Sequence, residues 1–207
     1  MTARAFYKKL AGQKRITTRG AAQLTGLSVP AASMALRRLA ADGLSVPLKK
    51  GAWLVGTAAS RPGALVTAAA DPYVAYLSGS SALRLHGRIQ QIPQSHFAVT
   101  LGRPRVVAMA AGSVNLHHIH ARLFDGYEFD ARADGFVASP EKALFDIAYL
   151  AAMNRSHVSA NLPETDLKGI CWKEIRVWLD RIATPRIREA VTRELSSIRR
   201  RGSESAD

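Results

Sequence analysis

The stretch from Thr17 to Asp42 constrains this chain more than any other. Thr17-Thr18 supplies a hydroxyl helix cap, and a helical pattern follows to about Thr25 with Ala21, Ala22 and Leu24 turned inward. Gly26 takes the backbone angles of a helix end, Leu27 plugs the core and Ser28 caps a new helix. Pro30 falls in the first turn of that helix, where its missing N–H is harmless. The spacing predicts a helix from Val29 to about Asp42, with Ala32, Ala35 or Leu36, and Leu39 on its buried stripe, closed by Gly43. Two short helices with a glycine-containing turn between them follow the helix-turn-helix plan.

The flanks extend that plan. Thr2 to Leu10 reads as a short helix, with Phe6 and Leu10 facing one core. Leu44–Leu48 and Ala52–Val55 are strand candidates, and Lys49-Lys50-Gly51 turns between them, the pattern of a wing. Trp53 is expected to pack beneath that wing rather than to stack on a base. Residues 1–56 are therefore expected to form a winged helix-turn-helix.

Charge points to what such a unit would bind. The chain carries a net charge of +13, with 29 Lys and Arg against 16 Asp and Glu. Residues 1–56 hold ten of the basic side chains and a single acid, Asp42, so most of the excess lies in the first quarter. A helix carrying Ala31, Ser33, Met34, Arg37 and Arg38 on its outer face, docked in a major groove, would put its N-terminal half on base edges. Arg37 could pair with guanine, and Val29, Ala31 or Met34 could touch thymine methyl groups. Arg38 fits a phosphate contact or a solvated face better, and Lys49 and Lys50 fit phosphates. The candidate DNA-contacting set is Thr18, Arg19, Ser28, Ala31, Ser33, Met34, Arg37, Arg38, Lys49 and Lys50. The helix contains no Asn or Gln, so direct base readout looks sparse.

The remainder predicts an α+β chain, with a strand-rich middle followed by helices. Residues 57–69 read as a linker, with a short helix around Ala64–Ala70, and residues 70–207 as a second domain. Tyr73–Leu77 leads to Ser78-Gly79-Ser80-Ser81 and a helix over Ala82–His86. Strand-like runs follow at His96–Leu101, Arg105–Met109, Val114–Ile119, Leu123 with Tyr127–Phe129, and Gly135–Ala138. Ser139-Pro140-Glu141 starts a helix to about Met153. Trp172, Ile175, Trp178, Leu179 and Ile182 mark a second helix, and Ile187, Val191, Leu195 and Ile198 a third. Residues 199–207 read as a frayed, disordered tail. No apolar run approaches the ~20 residues of a membrane span. The amphipathic Met1–Leu10 segment lacks a signal-peptide core, so a cytoplasmic protein is expected.

Catalytic and metal chemistry are weakly signalled. The Gly79-Ser80-Ser81 turn could cradle a phosphate. Nucleotidyl transfer would also need a close carboxylate pair for Mg²⁺, and no acid occurs between Asp71 and Asp125. His118 and His120 would share one side of a strand, beside His117, but a third zinc ligand is not evident. Asp125, Glu128, Asp130 and Asp134 could dock a basic partner, although a solvated loop explains them as well. With one cysteine, Cys171, no internal disulfide can form. No metal, cofactor or enzymatic activity is expected.

Two phrases in the second domain resemble a known family. Tyr76-Leu77-Ser78-Gly79-Ser80-Ser81-Ala82-Leu83-Arg84-Leu85-His86-Gly87 and Ala138-Ser139-Pro140-Glu141-Lys142-Ala143-Leu144-Phe145-Asp146, in this order, resemble the AbiEi-type antitoxin family of type IV toxin–antitoxin (abortive infection) operons. With the N-terminal unit, the resemblance covers roughly residues 5 to 155. It implies a winged helix that binds inverted repeats upstream of its own operon, placing two copies on the operator, and represses transcription. It also implies a second domain that antagonises a nucleotidyltransferase-like toxin without forming a stable complex. Ser80, Ser81, His86, Glu141, Lys142 and Asp146 match family-like positions, and none is assigned a catalytic role. The alternative is a winged-helix regulator whose second domain senses a ligand or dimerises, with no toxin partner.

Overall fold

A computed structural model describes residues 1–48, 51–56, 61–109, 112–154, 162 and 164–204, with helix and strand mixed throughout. The N-terminal part runs α1 (Ala3–Leu10), β1 (Arg15–Thr17), α2 (Thr18–Thr25), α3 (Val29–Ala41), β2 (Ser45–Pro47) and β3 (Ala52–Val55). The strands form an antiparallel sheet in the order β1-β3-β2, with Ile16 opposite Trp53 and Val46 opposite Leu54. Each helix start is capped by a hydroxyl: the N–H groups of Ala5, Gly20 and Ala31 donate to Thr2, Thr17 and Ser28. Gly26 ends α2 at φ +72°, a left-handed position glycine occupies without strain, and the chain turns at once into α3. Phe6, Leu10, Ile16, Ala22, Leu36, Leu39 and Trp53 close a small core between these elements.

Two local expectations change. Leu24, expected inward, is 50% exposed. At roughly 100° per residue it lies far round α2 from the stripe of Ala21, Ala22 and Thr25. Thr25 fills the inner position, its hydroxyl donating to the Ala21 carbonyl at 2.6 Å. Strand β1 was not foreseen, because three residues with one apolar side chain leave no alternation to read.

The rest of the chain builds a six-stranded sheet in the order β6-β7-β5-β4-β9-β8. Its strands are β4 (Ala75–Leu77), β5 (Ser95–Thr100), β6 (Arg105–Met109), β7 (Gly112–His118), β8 (Tyr127–Asp130) and β9 (Gly135–Ala138). The pairs β4–β9 and β5–β7 are parallel, and the other pairs are antiparallel. The helices are α4 (Pro62–Ala70), α5 (Gly79–Leu85), α6 (Pro140–Asn154), α7 (Trp172–Asp180) and α8 (Pro185–Glu204). Helix α6 buries Ala143, Leu144, Phe145, Ile147 and Ala148, with α7 and α8 packed against it through Ile175, Trp178, Val191, Leu195 and Ile198.

The expected linker is largely core. Helix α4 occupies residues 62–70 and buries most of its length, because its small side chains let it sit directly on β4 and β9. The contact is closest where Gly63 meets Gly135: a Cβ on Gly135 would lie 2.6 Å from the Gly63 Cα. Val46 and Leu54, from the N-terminal sheet, join the same apolar cluster as Leu65 and Val66 of α4. The tail differs too. Arg199–Arg201, expected to fray, continue α8, and the Arg199 guanidinium lies 5.1 Å from the Trp172 ring centre. Among the described residues no helix is long and apolar enough to cross a membrane.

Candidate nucleic-acid interface

Helix α3 presents Ala31, Met34, Arg37 and Arg38 outward, while Ala32, Leu36 and Leu39 anchor it on the core. Met34 is 53% exposed. Ala31, Met34 and Arg38, spaced three and four apart on one row, border a shallow groove against Met1–Ala3 at the start of α1. Arg37 lies outside that groove. Ser33 is half-buried, and Ser28 is exposed but gives its hydroxyl to the helix cap. Arg19 is exposed in the first turn of α2.

Thr18 has a different place from the one expected. Its hydroxyl donates to the Gly51 carbonyl at 3.1 Å and accepts from the Trp53 indole N–H at 3.0 Å, and its backbone N–H also bonds Gly51. The residue thus clamps the β2–β3 connection to the start of α2. Trp53, within β3, is buried, and the one polar atom of its side chain is satisfied by this bond. Lys49 and Lys50 lie outside the described residues.

The ten N-terminal cations do not all face one way. Lys14 Nζ lies 2.5 Å from Asp134, and Arg15 lies 3.1 Å from Asp71. Both acids belong to the part of the chain beyond residue 56, so these two cations tie the N-terminal sheet to the rest of the molecule. Arg4, Lys8, Lys9, Arg19, Arg37 and Arg38 are exposed and have no acidic partner among the described residues. They are what the described surface of residues 1–56 offers a polyanion.

The two phrases that carry the family resemblance meet in space, around Asp146. Its Oδ1 accepts from Lys142 Nζ at 2.5 Å, and its Oδ2 accepts from the Ser78 hydroxyl at 2.7 Å and the Tyr76 phenol at 3.0 Å. All four residues are buried, and the Lys142 ammonium lies within cation–π range of Phe145, Trp178 and Tyr76. Burial pushes the Lys142 ammonium below and the Asp146 carboxyl above their ordinary ranges, each opposed by its partner's charge. Burial beside Asp146 drives the Tyr76 phenol far above its ordinary range. The spacing of four puts Lys142 and Asp146 on one face of α6, where they grip β4.

Neighbouring motif residues do similar work. Ser81 accepts from the Phe97 N–H at 2.8 Å, and Glu141 accepts from the Cys171 N–H at 3.0 Å. The His86 ring contacts the Ala138 carbonyl at 2.8 Å. The Gly79-Ser80-Ser81 turn is no open phosphate cradle: Gly79 and Ser81 are buried, and a Cβ on Gly79 would meet the Phe97 ring at 2.8 Å.

The histidines and acids also separate. Strand β7 ends at His118, so His120 is off the strand and its Nδ1 accepts from the Arg122 N–H. His117 stacks on Phe97 with ring centres 4.2 Å apart, and His118 bonds the Gly102 carbonyl. Among the described residues no three metal-ligating side chains come together. In the acidic stretch, Asp125 accepts from the Trp178 indole at 2.5 Å and pairs with Arg181, and Asp134 holds Lys14. Asp130 accepts from Arg132 at 2.8 Å and from two backbone N–H groups, which hold its carboxyl near pKa 2. Asp125, Asp130 and Asp134 are thus engaged within the molecule, and Glu128 alone of the four is exposed on β8. No protein-family model matches the chain, and comparison with curated proteins gives no match.

Proposed function

We propose that residues 1–56 form a winged helix-turn-helix that binds duplex DNA, with α3 as the reading helix, and that the chain regulates transcription. The observation that carries this reading is α3: it follows α2 through the Gly26 turn and holds Ala31, Met34, Arg37 and Arg38 outward, in a segment with six exposed cations that lack acidic partners among the described residues. The order α1-β1-α2-α3-β2-β3, with Thr18 clamping the β2–β3 connection, supports it. In this reading Arg37 meets a base edge, Met34 and Ala31 meet thymine methyl groups, and Arg4, Lys8 and Arg19 meet phosphates. Lys49 and Lys50, between β2 and β3 in the sequence, add to the phosphate set.

So few base-reading groups favour a short half-site recognised twice, by two copies on an inverted repeat. The resemblance of the two phrases around Asp146 supports the narrower reading. The protein is then the autorepressor of a type IV toxin–antitoxin operon, and the part beyond residue 56 antagonises a nucleotidyltransferase-like toxin. Footprinting on the DNA upstream of the gene tests the first half, with two protected half-sites expected. Co-expression with the product of the adjacent reading frame tests the second, with growth rescue expected. Absence of both protection and rescue defeats the whole reading.

A further inference from the structure

The six-stranded sheet has two edges, and they differ in charge. At one, β8 carries the exposed Glu128 and, two residues on, Asp130, so a strand arriving there meets carboxylates. At the other, β6 reads Arg105-Val106-Val107-Ala108-Met109, with no acid, lysine or proline to keep another strand away. Its five residues pair one to one with β7, from Arg105 opposite Leu116 to Met109 opposite Gly112, with no bulge to twist the edge aside. The single charged side chain, Arg105, donates to the Ala69 carbonyl at 2.7 Å and is thus held against α4. Among the described residues, nothing bonds the backbone of residues 105–109 on the side away from β7. Val106 is 70% exposed, and Ala108, two residues on and on the same face, is exposed too.

We propose that β6 is the interface at which two copies of this chain pair, antiparallel about a two-fold axis through Val107, joining their sheets into one. Charge and register select that occupant. A charged segment finds no counter-charge along residues 106–109, whereas β6 itself is uncharged over the same residues. The two-fold sets Val107 opposite Val107 of the second copy, Val106 opposite Ala108, and Arg105 opposite Met109, so no like charges face each other. Opposed residues are then both even or both odd in number. The free N–H groups of one copy therefore meet the free carbonyls of the other, whichever alternate residues bond β7. Because each copy uses the same edge, the contact closes as a dimer instead of growing. A two-fold pair also matches the inverted repeat proposed above, but it forms without DNA.

The test is the mass of the full chain in solution without DNA, by light scattering during size exclusion, with twice the chain mass expected. Val106→Lys with Ala108→Lys sets lysine opposite lysine at two symmetry-related places, and is expected to weaken the dimer about tenfold. Val106→Glu with Ala108→Lys sets glutamate opposite lysine at the same places, and is expected to keep the dimer. Both positions are exposed, so neither variant disturbs the core. A monomeric parent, species larger than a dimer, or equal dissociation of the two variants overturns the proposal. A monomeric parent leaves the DNA-binding reading standing, since two chains can occupy two half-sites independently.

Discussion

Lys14 Nζ sits 2.5 Å from Asp134 Oδ1, across 120 residues of sequence, and binds the N-terminal sheet to the turn before β9. A cation that composition alone assigns to the DNA-facing charge is thus engaged within the molecule. Beside it Arg15 is paired with Asp71, and Val46 and Leu54 enter the core formed with α4. The N-terminal unit is docked on the rest of the chain rather than tethered to it.

This separates two classes of basic residue. Lys14→Ala should leave affinity for duplex DNA and its salt dependence unchanged. Arg19→Ala should lower the slope of log K against log salt by about one contact. Stability should hardly move in Lys14→Ala, because an ion pair with one exposed partner contributes only about 0–1 kcal/mol. Equal losses of DNA affinity in the two variants would contradict the assignment.

The contact of Gly63 with Gly135 leaves no room for a side chain on either. Gly135→Ala should destabilise the protein by roughly 1–3 kcal/mol, the usual cost of overpacking, read as a lower denaturant midpoint at an unchanged slope. A midpoint equal to that of the parent would show that α4 can move away from β9 freely.

Asp146 is the acid that pairs directly with the buried Lys142 ammonium, and Asp125 adds a weaker, more distant attraction. Asp146→Ala should cost about 3–5 kcal/mol, because it leaves Lys142 charged and buried without its counter-ion. Lys142→Met combined with Asp146→Leu should recover most of that loss, since apolar residues of similar size replace the whole pair. If the double variant is no more stable than Asp146→Ala, the network does more than hold α6 to β4.

Burial lowers the pKa of His96 and of His117, so both prefer the neutral form when folded. A group with a depressed folded pKa contributes stability that is complete above its unfolded value, about 6.5, and is lost as pH falls through the folded value. The melting temperature should therefore drop between pH 7 and pH 5, and His96→Gln with His117→Gln should flatten that drop. An identical pH profile in the double variant would show that other groups set it.

The turn chemistry of residues 17–42 was legible because each cap, glycine and proline carries its own backbone requirement, and Gly26, Ser28 and Pro30 sit where those requirements place them. The core of α3 followed from periodicity alone. Strand β1 was too short to show a period, and α4 read as linker because its alanines and glycines carry almost no amphipathic signal. Long-range pairing was not legible at all. Nothing local in Thr18 announces Trp53 and Gly51 as its partners, and nothing near Lys14 announces Asp134. For the same reason Lys142 and Asp146 stood only as separate motif positions, and their pairing, with Ser78 and Tyr76 joined to it, emerged once β4 was placed against α6.

The most direct test is the affinity of the full chain for a short duplex of any sequence, measured across salt concentration. Four to six phosphate contacts from the N-terminal cations predict that log K falls linearly against log salt, with a slope of about −4 to −5. Arg37→Ala should weaken binding further on the chain's own upstream DNA than on an unrelated duplex. No binding at low salt, or binding that does not change with salt, would contradict the account of residues 1–56 as a DNA-binding unit.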